Sequence, residues 1–321
     1  MAYFKANQAN SSNLKRFKAD LALQTIKGIK IRLMEKPRIY DCFCYFNEDL
    51  ILELRFETLW DHVDFFVISE ASYTHSGVSR EPLFDISRFQ KYASKIRYVR
   101  LDQRPPGPND FWKNENFIRN NVVNGLFDAK PNDWILVSDV DEIPKPDRIK
   151  EYEPKYLRGD FDQGYYSYYF NNRWIGDVDA GGKLKPNSNV WRGTKVTTYQ
   201  YFVDFFKSNA TSVRNYKSAG ILRSIKRTWF KWVNVQLIKD GGWHFTWVFS
   251  LENIIKKIES TAHQEFNCPE YKNPEKIREL IASGRDFHKP YSRYELQELD
   301  EQFPEYMVSN QIIFSEFLLK K

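Results

Sequence analysis

Residues 132–144 read NDWILVSDVDEIP, an apolar run that stops at two aspartates one residue apart with a glutamate directly behind them. The run has the length and branched-chain content of a buried strand, so Asp139, Asp141 and Glu142 fall at that strand's carboxyl end. Two aspartates at i and i+2 of a strand end can face one side and together offer several hard oxygen donors to a divalent cation. Mg²⁺ or Mn²⁺ held in this way keeps open positions that can bridge the phosphates of a nucleotide. The plainer reading of the same residues is a turn or helix cap with incidental acids, since Asp-x-Asp is a short pattern.

Outward from this stretch, strands and helices alternate. RIYDCFCYF (38–46) and DFFVISEA (64–71) read as strands, with NEDLILELRFETLWDHV between them as a helix whose apolar side carries Leu52, Phe56 and Leu59. IRYVRL (96–101) follows as a strand, then WKNENFIRNNVVNGLFDA as a helix, then the strand DWILVSDV. This order predicts an α/β domain built on an open, mostly parallel sheet flanked by helices, with ligands gathered at the carboxyl ends of the strands. Further on, QGYYSYYFNNRW (163–174) reads as one tyrosine-rich strand, GDVDAGGKLKPNSN as a loop able to fold over a substrate, and SLENIIKKIES as a helix with Ser250 at its N-cap. The main domain is expected over 38–290. It is preceded by a basic extension, 1–37, with Leu14, Phe17 and Leu21 on one helix face, and followed by a helical segment at 291–321.

The composition bounds the possibilities. With 321 residues, 42% of them hydrophobic, the chain has enough apolar material for a full core and is not simply disordered. Aromatic residues make up 17%, which suits stacking on sugars or bases as well as a ring-rich core. A net charge of +6 is compatible with a nucleotide, a membrane face or nucleic acid as partner. Lys207, Arg214, Lys217, Arg223, Lys226, Arg227, Lys231 and Lys239 form a block without an intervening acid, either a solvated face or a phosphate- or membrane-facing surface. Cys42, Cys44 and Cys268 show no disulfide framework and read as free thiols of a reducing compartment. No stretch resembles a signal peptide or a spanning helix, so a cytoplasmic protein, in peripheral contact with a membrane at most, is expected.

Within the helix ahead of the acidic strand, Glu115 and Arg119 are spaced i and i+4, which by itself is a surface ion pair worth a few tenths of a kcal/mol. The alternative has Arg119 reaching an anionic ligand and Asn120 hydrogen-bonding it. Four segments decide how far to take this: IYDCFCYFNEDLILELRFETL, VDFFVISEASYTHSG, FWKNENFIRNNVVNGLFDAKPNDWILVSDVDEIP and GGWHFTWVFSLENIIKKIES. In this order, over roughly residues 38 to 265, they resemble glycosyltransferase family 17, whose animal members add the bisecting N-acetylglucosamine to N-glycans.

The resemblance implies a GT-A-type inverting transferase, a UDP-sugar donor, most simply UDP-N-acetylglucosamine, and Mn²⁺ or Mg²⁺ on its diphosphate. It makes Asp141 the principal metal ligand, with Asp139 on the metal or the ribose, Glu142 orienting that pair or binding the sugar, and His244 a further ligand from a distant loop. A buried, hydrogen-bonded histidine is the alternative for His244. Asn47, Glu48, Glu70, Thr74 and His75, at neighbouring strand ends, would line the donor pocket with Arg119 and Asn120. Glu70 could instead pair with Arg55. For the base that deprotonates the acceptor, the candidates are Glu252, then Asp177 or Asp179. The acceptor would be a glycan or lipid-linked glycan. A phosphatase or nucleotidyltransferase using the same aspartates, or a nucleic-acid- or glycan-binding module without catalysis, are the rival readings, and nucleic acid is not the expected partner.

Overall fold

The computed structural model describes residues 25–26, 29–30, 36–185, 189–216, 234–283 and 291–320. The chain divides into two units, Met1–Pro37 and Arg38–Lys321. In the first, the described residues form an antiparallel pair, β1 (Thr25–Ile26) with β2 (Ile29–Lys30). The helix expected around Leu14, Phe17 and Leu21 lies outside the described residues, as does the middle of the basic block.

The second unit is built on a mixed sheet. Its first strands are β3 (Ile39–Cys44), β4 (Phe65–Ala71), β5 (Ile96–Leu101) and β6 (Trp134–Asp139). They lie parallel in the order β6-β3-β4-β5. Helix α1 (Asp49–Leu59) connects β3 to β4, and α2 (Phe111–Asn120) precedes β6. The expected open, mostly parallel sheet flanked by helices is therefore observed. Residues of β3 alternate between two cores. Ile39 and Phe43 join Phe56, Phe66 and Phe89 on one side, whereas Tyr40 and Cys42 join Val67, Val122 and Phe202 on the other. Burial on both sides explains the nearly unbroken apolar runs of β3, β4 and β6.

Beyond β7 (Glu142–Pro144) the sheet continues through β8 (Arg158–Ser167), β9 (Asn172–Asp177) and β10 (Trp191–Thr198). β10 is antiparallel to both β6 and β8. Helices α3 (Tyr199–Asp204) and α4 (Ala210–Asn215) follow. β11 (Val235–Ile238) and β12 (Gly242–Thr246) run parallel to β8. Helix α5 (Leu251–Ser260) comes after them, with Ser250 accepting the Asn253 N–H as its cap.

Two elements differ from the sequence reading. The tyrosine-rich stretch is two antiparallel strands, because the chain reverses after Ser167 through Tyr168, whose φ is 63°. The segment after 290 is not wholly helical. β13 (Ser292–Leu296) pairs with β9, so this segment joins the main sheet, and its alternating burial is a period-two signal hidden in a charged stretch.

One buried cation fixes the strand end that carries the acids. Arg55, on α1, is 0% exposed and grips Asp41 of β3 through two hydrogen bonds, of 2.6 and 2.7 Å. Its remaining donors reach the carbonyl oxygens of Asp139, Val140 and Glu142 at 3.2, 3.0 and 2.9 Å, and Ser138 Oγ at 2.6 Å. Arg55 is thus not the partner of Glu70.

Removing one member of such a buried pair leaves an uncompensated charge. Arg55→Met is expected to cost about 3–5 kcal/mol in urea denaturation, and Asp41→Asn in the same background should add far less than it does alone. A loss below about 1 kcal/mol would remove the pair from its central place.

Candidate functional site

The parallel strands β3, β4 and β6 end together, with Cys44 in register with both Ser69 and Asp139. At their carboxyl ends opens a cleft of about 450 Å³, walled by Cys44 to Phe46, Glu48, Ala71, Tyr73 to His75, α2 from Trp112 to Arg119, the Asp139–Asp141 turn, Arg214 and the end of α5.

The three acids of the turn are held in three different ways. Glu142 is fully buried, and both its oxygens are taken: Arg214 donates at 2.6 and 2.7 Å, Trp191 Nε1 at 2.7 Å and the Asp139 N–H at 3.0 Å. Asp139 sits between two guanidiniums, Arg214 at 2.7 Å and Arg119 at 3.2 Å. Surrounding protein would push its carboxyl up, but Arg214 and Arg119 outweigh that and hold it well below the usual carboxylate range. Asp141, only 5% exposed, makes no such bond. Its nearest basic groups are His244 Nε2 at 3.5 Å and Lys257 Nζ at 3.6 Å, and its Oδ1 has no hydrogen-bond partner among the described residues. Burial raises the Asp141 carboxyl, and His244 and Lys257 more than reverse this, leaving it below its ordinary value.

His244 comes to this place through β12, which pairs with β7 so that His244 lies opposite Glu142. The approach requires glycine: Gly242 has φ +131°, and a Cβ there would stand 2.2 Å from the Ile143 carbonyl oxygen. The ring is braced by Tyr165, edge-on at 5.0 Å between centroids, and by Trp191 at 4.9 Å. Its Nδ1 is also buried without a partner among the described residues. Among those residues no three His, Cys, Asp or Glu side chains are gathered as a metal site. The fit to a divalent ion rests instead on two groups, the partnerless Asp141 oxygen and the His244 nitrogen facing it, an oxygen and imidazole set suited to Mn²⁺.

Other residues singled out in the sequence take varied places. Glu48 lines the cleft, accepts the N–H groups of Phe46 and Asn47, and lies 3.8 Å from Lys257 Nζ. Burial raises its carboxyl above the ordinary value in spite of those contacts. The Asn47 side chain is not part of the lining, whereas Thr74, His75 and Arg119 are.

Glu70 is corrected from donor pocket to structure: it is fully buried, and Arg80, the Tyr98 hydroxyl and the N–H groups of Leu83 and Phe84 occupy its oxygens. Asn120 is not among the residues lining the cleft either; its Oδ1 accepts the Thr211 N–H, which ties α4, the helix of Arg214, to α2. Glu252 is 78% exposed and paired with Lys256, while Asp177 accepts from Ser292 and Asp179 caps the loop N–H groups of Gly181 and Lys183. None of these three lines the cleft. The residues that sequence reasoning passed over are Arg214, seen only as part of a basic block, Lys257, Trp191 and the rim residue Trp112.

Residues 14–173 match the profile of glycosyltransferase family 17. The chain belongs to glycosyltransferase family 17. It is 25% identical over 282 residues to the beta-1,4-mannosyl-glycoprotein 4-beta-N-acetylglucosaminyltransferases of Rattus norvegicus and Homo sapiens, covering 81% of this chain and 50% and 51% of theirs. It thus spans about half the length of the curated relatives it matches. Among solved structures, a 2-C-methyl-D-erythritol 4-phosphate cytidylyltransferase of Francisella tularensis aligns at TM-score 0.32 and 12% identity, over 70% of this chain and 100% of that one. The SDVDEIP and GWHF segments of this family 17 chain thus meet in space, although about a hundred residues separate them in sequence.

The Asp139 ion pair sets an acid limit. Because the folded carboxyl is depressed, its contribution is complete above the unfolded value of about 3.9 and is lost as pH falls below it. Melting temperatures should therefore drop more steeply below about pH 4 in the wild type than in Asp139→Asn. Parallel curves would show that the pair does not stabilise the fold.

Proposed function

We propose that this family 17 protein is a metal-dependent inverting glycosyltransferase of the GT-A type. It would move N-acetylglucosamine from UDP-N-acetylglucosamine to a hydroxyl of a glycan or lipid-linked glycan. The observation that carries this reading is the Asp141 carboxylate: buried, lacking a hydrogen bond on one oxygen, facing His244, and set at the carboxyl end of a parallel sheet among Arg119, Arg214 and Lys257. The sugar is taken from the relatives, which are N-acetylglucosaminyltransferases.

In this reading Asp141 and His244 would hold Mn²⁺ or Mg²⁺. When bound, the ion would neutralise the diphosphate and stabilise UDP as leaving group. Arg119 and Lys257, both lining the cleft, add positive charge on that side, so anionic phosphate is favoured where the carboxylates alone would repel it. Asp139 and Glu142 hold the two arginines in position. The base that accepts the acceptor proton has to lie in the cleft, so Glu48 or His75 is better placed than Glu252, Asp177 or Asp179. Burial lowers the His75 pKa below its ordinary value, which favours the neutral ring with a nitrogen able to accept. At the rim Trp112, 48% exposed and edge-on to His263 at 4.7 Å, offers a flat apolar face to a sugar ring. Among the described residues no helix is long and apolar enough to cross a membrane, and a peripheral contact with a membrane surface remains part of the proposal.

The phosphatase alternative requires its first aspartate free for nucleophilic attack, and Asp139 is instead bound by two guanidiniums. The reading is tested by calorimetric titration of UDP and UDP-N-acetylglucosamine with Mn²⁺ and then with chelator. Micromolar binding that needs the metal and weakens at least about tenfold in Asp141→Ala is expected. Absence of binding by either nucleotide under every metal condition would end the transferase reading.

A further inference from the structure

Lys257 is the cleft cation with the least fixed position. Its Nζ stands 3.6 Å from Asp141 Oδ2 and 3.8 Å from Glu48 Oε1, close enough for charge attraction and too far for a hydrogen bond. The contrast with its neighbours is sharp, since Arg214 reaches Asp139 at 2.7 Å and Arg55 reaches Asp41 at 2.6 Å. The Lys257 ammonium also lies over the rings of Phe249 and Trp247, at 4.8 and 5.4 Å, which gives it a favourable resting place without a directional bond.

We propose that Lys257 is a resident stand-in cation, which neutralises Asp141 and Glu48 while no divalent ion is bound and turns to the donor diphosphate when ion and nucleotide arrive together. The proposal rests on the reading of Asp141 and His244 as the metal-binding pair. Three observations carry it. Two buried carboxylates share this one ammonium, so removing its charge would leave both undercompensated. Helix α5 is anchored by its Ser250 cap and by the buried Ile254 and Ile258, so the head group can re-aim on its four-carbon stem while the helix stays in place. Lastly, the Asp141 oxygen that lacks a hydrogen bond is the one facing His244, so an ion seated there would lie on the same carboxylate as the ammonium.

Repulsion between ion and ammonium then opposes metal binding to the empty cleft, and the two negative charges of a diphosphate relieve it. Linkage makes the effect reciprocal: Mn²⁺ and nucleotide each strengthen the other's binding through Lys257.

The experiment is Mn²⁺ titration followed by the paramagnetic resonance signal of the free ion, with and without UDP, in wild type, Lys257→Met and Lys257→Arg. Thermal melts of all three establish that each is folded. Lys257→Met is expected to bind Mn²⁺ alone at least about fivefold more tightly than wild type, and to lose most of the gain that UDP gives. Lys257→Arg, which keeps the charge, should stay close to wild type without nucleotide. Mn²⁺ affinity in Lys257→Met that equals or falls below the wild-type value overturns the role of Lys257 and leaves the metal reading intact. A wild-type protein that takes up no Mn²⁺, even with UDP present, overturns both.

Discussion

The fully buried pair of Arg55 and Asp41 is the constraint on which the rest of the site depends. It joins α1 to β3, and its spare donors then cross to the end of the neighbouring β6 and gather three carbonyl oxygens of the acidic turn. A turn that carries three carboxylates would tend to splay by mutual repulsion. Here its backbone is fastened from beneath by a guanidinium whose five donors have a fixed geometry. The side chains of Asp139 and Asp141 are therefore presented to the cleft at distances set by the core, with Glu142 buried behind them.

Above that floor, the three acids divide according to the cation each receives. Glu142 has no exposed surface and holds Arg214 and Trp191, acting as a structural counter-charge. Asp139 shares Arg214 and adds Arg119, which couples the acidic turn to α2. Asp141 alone is left with long electrostatic contacts. The crowded acidic strand end is thus divided: two of the carboxylates hold arginines, and the third, Asp141, holds none.

Much of the fold was legible because the relevant signals are local. The parallel strands are apolar runs bounded by turns, and the acidic turn falls at a strand end where the alternation of strands and helices places it. The family motifs also led to Asp141 and His244, which the structure brings to 3.5 Å. What stayed hidden depends on pairing between distant residues. Glu70 follows apolar residues as a ligand-binding acid would, yet Arg80 and two loop N–H groups bury it. Arg214 looked like one charge in a basic run, and it is directed to the acids by tertiary contacts of α4: the Thr211 bonds to Asn120 and Asn116 of α2 and the buried Ala210 and Val213. Glu252 sits in the first turn of its helix as expected, but the side that faces the cleft carries Lys257. The aromatic excess proved to be chiefly core, as in the rings of Phe56, Phe66, Phe89 and Tyr92 or of Phe170, Phe245 and Phe314.

Arg55 contacts the acidic turn almost entirely through main-chain oxygens. Its grip is thus indifferent to which side chains stand at positions 139, 140 and 142, provided the backbone keeps its path. Shape and chemistry are inherited separately at this turn. A chain that kept Arg55, Asp41 and Ser138 could exchange its cleft-facing acids for other groups and still present them at the same point in space. The floor of the site is in that sense a reusable mount, and the residues set on it are what give the cleft its chemical character.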